Sequence, residues 1–238
     1  MSFVDPATRW LHIARNVGLF AVLLIVTSLL LDGVLPRVAP FFPDLPQGLI
    51  GGLGLSLPVQ VILGVLVLDL CEYAFHRFCH HNRWLWRLHQ VHHADAHLDV
   101  STGMRFHPLE SALSLVVKLA LLAVLGLPLW IEAVRVLVTN PMAFAQHANV
   151  KFPDWLERWG HLLIITPALH RVHHSTDPAD HDQNFGELFS WWDRLFATYR
   201  TPSGEVTVGL PGFEDRRWQT LTGMLAMPWS APQVPARA

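Results

Sequence analysis

Charge is what this sequence lacks most. Asp, Glu, Lys and Arg make up 15% of its 238 residues, against 51% hydrophobic, and the formal net charge is -2. No basic stripe runs along the chain, which excludes a nucleic-acid binder. Cysteine is nearly absent: Cys71 and Cys79 form neither a CxxC pair nor a disulfide framework. No His-Glu-x-x-His stretch occurs, so the zinc-protease pattern is missing. Nothing supplies a Ser–His–Asp or Cys–His nucleophile. Cys79 is read as a structural thiol.

Uncharged apolar runs take the place of the missing charge. Asn16 to Leu31 and Leu45 to Leu68 carry none; Leu109 to Leu125 is broken at Lys118, and Leu129 to Ala148 is interrupted at Arg135. A hydrocarbon core about 30 Å thick takes roughly 20 such residues in a helix. Four runs predict four transmembrane helices in two hairpins. Asp32, Pro36 and Pro40 are expected to end the first, and Pro58 to kink the second. Arg9 and Arg15 would also suit a signal peptide, but no clear small-residue cleavage site follows, so a retained span is expected. Arg9, Arg15, Arg77, Arg83, Arg87 and Arg105 gather on one side, against Arg37 on the other. The positive-inside rule then puts both termini in the cytoplasm. Isolated Lys118 and Arg135 must snorkel or face the bundle interior. The sequence after Lys151 reads as a cytosolic cap, and Pro228 to Ala238 as a poorly ordered end. The expected organisation is an N-terminal segment over 1–60, a catalytic domain over 61–200 and a polar, Pro-rich tail over 201–238.

Histidine is the excess. The chain has 15, nearly as many as its 17 Lys plus Arg. His76 and His80 stand four apart just after the second apolar run. His89, His92 and His93 follow at helix-face spacing, and His170, His173 and His174 repeat it. The triplets share a pattern, Leu88-His-Gln-Val-His-His93 and Leu169-His-Arg-Val-His-His174. On the four-span topology these clusters, with His107 and His147, meet at one membrane face. Structural zinc usually takes four ligands, so eight to ten imidazoles are too many for one ion and two neighbouring ions are expected. Imidazole suits Fe, Zn, Cu and Ni. A lone histidine such as His12 or His161 reads as a surface or interface residue, and His81, His97 and His181 as non-ligands. Ligating imidazoles need their other nitrogen held; Asp69, Glu72, Asp95, Asp99 and Asn184 are candidates. The aromatic run Phe185 to Phe196 reads either as a lipid entrance or as an interfacial belt.

With these boxes the chain resembles the fatty acid hydroxylase superfamily, also called the sterol desaturase family. The resemblance covers roughly Leu66 to Tyr199. It extends to Asp69 with Tyr73, Trp86-Arg87, Arg105-Phe-His-Pro-Leu-Glu110, Gln146-His-Ala-Asn149, and Asn184-Phe-Gly186 leading to Trp192-Asp-Arg-Leu-Phe-Ala-Thr-Tyr199. Phe185 and Ala197 depart from the Tyr and Gly usual there, and His81 stands where a basic residue is common. The resemblance implies two iron ions, with zinc as a substitute in a preparation, and O2 attacking a C–H bond of a lipid. Fatty acyl chains, sphingolipids, sterols and related isoprenoids are such substrates. The chain shows no cytochrome b5 or ferredoxin-like segment, so the expected electron donor is a separate protein of either kind. The whole reads as an all-α integral membrane protein whose cytosolic helical cap carries a His-rich di-metal site.

Two rivals belong to other classes. A zinc-binding membrane hydrolase would favour His-Glu-x-x-His, and a zinc transporter midplane ligands at broken helices. A di-haem cytochrome needs axial histidines within paired spans. Neither pattern matches clusters at helix ends.

Overall fold

The computed structural model describes residues 6–38 and 48–230, and every element in them is helical. Among the described residues the only extended pairings are two isolated bridges, Ile164 with Phe189 and Ser175 with Val208. The Pro40 expectation, the start of the second run at Leu45 and the chain end from 231 to 238 lie outside the described residues.

The first helix, α1, spans Pro6–Val38 and continues through Asp32 and Pro36. Pro36 has no N–H for the carbonyl four residues back, and the helix ends two residues beyond it. The second helix, α2, spans Leu57–His81, twelve residues later at its start than the apolar run. Pro58 does not kink it; it occupies the first turn, where a missing N–H is no loss. A tight 3-10 turn at Gly51–Leu53 precedes it, ended by Gly54 at φ 64. The first histidine box is therefore inside the last turns of α2, not beyond them. Apolar runs end at the first charge, whereas the helix runs on because Asp69 and Glu72 find partners inside the protein.

Asn82 closes α2 and opens α3 (Arg83–His93), accepting from the backbone N–H of Trp84 and Leu85 at 3.0 and 3.2 Å. After a capped 3-10 turn at Val100–Met104, α4 runs Pro108–Leu125 and ends at Gly126, whose φ of 67 favours glycine. α5 follows at Trp130–His147. Short helices α6 (Asp154–Gly160), α7 (Pro167–His173), α8 (Pro178–His181) and α9 (Trp191–Leu195) build the cap, and α10 (Leu221–Ser230) ends the described chain.

Among the described residues three helices are long and apolar enough to cross a membrane: α1 over Thr8–Arg37, α2 and α4. α5, with Glu132 and Arg135 near its start, is not among them. Lys118 and Arg135 face inward and are 7% and 3% exposed. Leu68, Leu122, Leu125, Leu127 and Ile131 pack α2, α4 and α5 together. Gly64 permits this approach, since a Cβ there would lie 2.8 Å from the Ile131 side chain.

A second core joins Leu19 of α1 and Trp86 and Val91 of α3 to Phe213, Trp218, Met224 and Met227. Burying each such apolar side chain stabilises by roughly 1.5–3 kcal/mol. The segment expected as a polar tail thus closes one side of α3 as far as Ser230, and Pro228 lies within α10. Arg105, fully buried, ties it down: Nε donates to Val91 O at 2.8 Å and a guanidinium N–H to Gln219 at 2.8 Å.

Candidate metal centre

Nine imidazoles converge where α2, α3, α5 and α7 meet. His76, His80, His89, His93 and His173 form one group; His92, His147, His170 and His174 form another. Within each, one ligand atom per residue lies within 4.8 Å of all the others. Helical spacing explains the sorting. His89 and His93 are one turn apart on α3 and share a group, while His92 points to the neighbouring one. On α7, His170 and the following His174 pair in the same way and His173 crosses over. The groups adjoin, with His93 and His174 stacked at 4.5 Å between ring centroids.

The ring nitrogens have unlike surroundings. His76 Nδ1 donates to Phe185 O at 2.9 Å and His173 Nδ1 to Gln183 O at 2.8 Å. His147 Nδ1 donates to Ala143 O at 2.6 Å. Carbonyls only accept, so these rings carry their proton on Nδ1 and turn a bare Nε2 lone pair inward. Carboxylates hold two more: His89 Nδ1 meets Glu110 at 2.7 Å, and His80 Nδ1 meets Asp182 at 3.1 Å.

Those Nε2 atoms crowd together. His89 Nε2 is 3.0 Å from that of His76 and 3.1 Å from that of His93; His147 Nε2 is 2.9 Å from that of His170 and 3.2 Å from that of His92. Facing lone pairs repel unless a cation lies between them. Two nitrogens each about 2.1 Å from one ion stand roughly 3 Å apart. Buried His80 Nε2 and His173 Nε2 have no hydrogen-bond partner at all. This donor set fits metal ions: neutral imidazoles gathered with ring nitrogens facing one another, the outer nitrogens of five of the nine held by carbonyl or carboxylate. Burial, the largest cause, pulls His89 down to about 3, and His92, His93, His170, His173 and His174 well below their ordinary value. The rings stay neutral, the form that ligates.

Other sequence candidates are placed elsewhere. His107 joins neither group. Its Nδ1 accepts from the Leu109 N–H at 3.2 Å as the α4 cap, and its Nε2 meets Leu225 O at 3.3 Å. Asp69 touches no histidine; it accepts from Trp192 Nε1 at 2.7 Å and from the Leu188 N–H at 3.1 Å. Asn184, at φ 55, donates to Leu169 O and Arg200 O. Both residues hold the loop whose carbonyls orient His76 and His173, so they act on the rings through backbone. Glu72 bonds Lys118 and Ser114. Asp95 and Asp99 turn to α1, where His12 lies 2.9 Å from Asp95 and 3.4 Å from Asp99.

Two groups escaped the sequence reading. Glu110 was visible only as part of a motif. His181 was set aside as a non-ligand, yet with His80 and Asp182 it forms a third potential ligand cluster. It stands on the separate short helix α8 with no other histidine three or four residues away, so no box marks it.

A cavity of about 330 Å³ reaches His76, His89, His92, His147 and His170 from between the long helices. Phe20, Leu23, Leu24 and Leu31 of α1 line its apolar wall.

The family model described as fatty acid hydroxylase matches residues 61–198. The chain belongs to the fatty acid hydroxylase family. Relatives in that superfamily include the ornithine lipid hydroxylase of Rhizobium tropici, 34% identical over 64% of this chain and 46% of that protein. The alkylglycerol monooxygenase of Danio rerio is 35% identical over 62% of this chain and 32% of its own length. The sphingolipid C4-hydroxylase of Schizosaccharomyces pombe is 26% identical over 71% of this chain and 56% of its own. The chain thus spans less than half the length of the first two relatives. No solved structure matches it. In fatty acid hydroxylase terms Ala197 is informative: its φ of 57 is a left-handed conformation that favours the glycine usual there.

Proposed function

We propose that this chain is a membrane-bound, non-haem di-iron oxygenase that hydroxylates a lipid. The observation that carries the reading is the pair of imidazole groups with their bare Nε2 atoms turned inward. His76, His80, His89, His93 and His173 would hold one ion, and His92, His147, His170 and His174 the other. Bound there, iron would supply the redox chemistry by which O2 oxidises a C–H bond. One oxygen atom enters the C–H bond and the other leaves as water, which consumes a pair of electrons and two protons. A separate electron-transfer protein, cytochrome b5-like or a ferredoxin with its reductase, supplies the electrons. The chain's own part is to fix nine rings, shield them from water and deliver an alkyl chain along α1.

The reading includes four spans with both termini and the histidines at the cytoplasmic face. Exposed Leu137 and Val138 support a lipid-facing side on α5, at 76% and 47% exposure. Aromatic Trp155 and Trp159 on α6, both exposed, suit the membrane–water interface.

The test is iron content together with lipidomics of a host expressing the chain, against a His174→Ala control. Two irons per chain and a new hydroxylated lipid, both lost in the control, are expected. Zinc as the only metal that supports folding, with no lipid change under any donor, would overturn the proposal.

A further inference from the structure

The cavity between the long helices reaches only part of the first imidazole group. His76 and His89 line it; His80, His93 and His173 do not. Those three rings share another neighbour. His181 of α8 lies 5.1 Å from His80, 4.7 Å from His93 and 6.4 Å from His173, centroid to centroid. Trp86 packs edge-on against it at 5.2 Å.

His181 is held as the ligand rings are. Its Nδ1 donates to a backbone carbonyl, Ser175 O at 3.2 Å, as those of His76, His147 and His173 do to theirs. That places its lone pair on Nε2. With His80 and Asp182 it offers three ligand atoms within 4.8 Å of one another. His80 belongs both to this cluster and to the first group. Its Nδ1 meets Asp182 at 3.1 Å, which leaves the buried Nε2 for the group.

Exposure falls along the same line. The Asp182 side chain is 23% exposed and that of His80 1%, and His181 between them is half-buried. A hydrated divalent ion needs such a graded path, because burying a charge is costly unless each lost water is replaced by another donor. The cavity offers no such gradient on the α1 side, where Phe20, Leu23 and Leu24 form its wall.

We propose that His181, Asp182 and His80 form a loading port, a third site that takes a divalent metal ion from water at the cap surface and passes it to the first imidazole group through His80. A neutral imidazole has one lone pair, since its single proton occupies the other nitrogen. His80 therefore serves the port through Nδ1 or the group through Nε2, not both at once, with its proton on the nitrogen that faces no ion. The port empties as the group fills, and the loaded protein keeps no ion there. The inference rests on reading the two groups as metal sites, and its test needs no turnover of lipid.

The test uses the full-length chain in detergent, stripped with a chelator and mixed with cobalt(II) under nitrogen. Visible absorbance of imidazole-bound cobalt follows loading, transfer to excess EDTA follows release, and elemental analysis gives the content. Asp182→Asn, which keeps an acceptor for His80, should load about tenfold more slowly, the low end of what a charged cleft adds to an on-rate. His181→Ala should also load more slowly, reach the wild-type content, and release more slowly by the same factor, because a port alters both rates and leaves affinity alone. A ring that only propped up the site would release faster once removed. Unchanged loading in both variants overturns the port. So does a lower cobalt content in His181→Ala, which makes His181 a plain ligand, and so does a third ion retained by the loaded wild-type chain. A chain that binds no cobalt loses the metal reading and the port with it; one that loads through the port yet oxidises no lipid loses only the hydroxylase reading.

Discussion

His89 donates from Nδ1 to Glu110 at 2.7 Å, joining α3 to the first turn of α4. Removing the carboxylate frees the ring to rotate and lowers its basicity. Glu110→Ala should weaken metal binding by roughly 10–100-fold, the usual effect of losing such a partner. Competition with a chelator measures it; an unchanged affinity would show that His89 needs no anchor.

His107 and His174 should part company. His107→Ala removes the α4 cap and should cost about 1 kcal/mol of stability, while the protein keeps its iron. His107→Asn, which can still cap, should recover most of that loss. His174→Ala should lose metal. Denaturation curves and metal analysis on the three variants separate cap from ligand, and metal loss in His107→Asn would make His107 a ligand after all.

Acid should destabilise the metal-free protein. Folded His89 titrates at about 3 because it is buried, and the other five α3 and α7 histidines also lie far below 6.5. Unfolded imidazoles near 6.5 take up protons that the folded rings refuse, so the unfolded state binds more protons below that pH. Stability is full above pH 6.5 and falls as pH drops toward 3, at about 1.4 kcal/mol per pH unit for each fully shifted ring. Melting temperatures of chelated protein between pH 8 and 5 report the sign. A flat profile would mean that water reaches these rings.

Ala197 pays for a left-handed backbone at φ 57. Ala197→Gly should stabilise the cap by about 1 kcal/mol. Hydrogen exchange at the Asn184 and Phe185 amides, which lie across the same loop, should slow; faster exchange there would mean the position is already relaxed.

Much of this architecture was legible from spacing. The boxes at 76–80, 89–93 and 170–174 are helical periods, and period alone puts imidazoles on one face. The division of each triplet between two groups also follows from that geometry, since His92 and His93 lie about 100° apart on α3. Helix limits were read less well. An uncharged run marks where a chain tolerates lipid, not where its backbone stops being helical, so α2 was placed too early and its box outside it. The anchors of the rings were hidden for another reason. Carbonyls of Ala143, Gln183 and Phe185 carry no side-chain signature, and every residue has one. Asp69 and Asn184, expected to hold the second nitrogen of a ring, bond the cap loop and no ring.

His92 and His93 are neighbours in sequence and belong to different groups, as do His173 and His174. Neither group can be assembled from one stretch of chain. A growing polypeptide that already includes α1 to α5 still lacks a member of each group until α7 is made. On the proposed reading, metal acquisition would be a late event in biosynthesis, waiting on translation of the cap and not on the affinity of any single box. A ribosome stalled before residue 170 would then leave an ion-poor intermediate, and cellular quality control would have that interval in which to distinguish it from the finished protein.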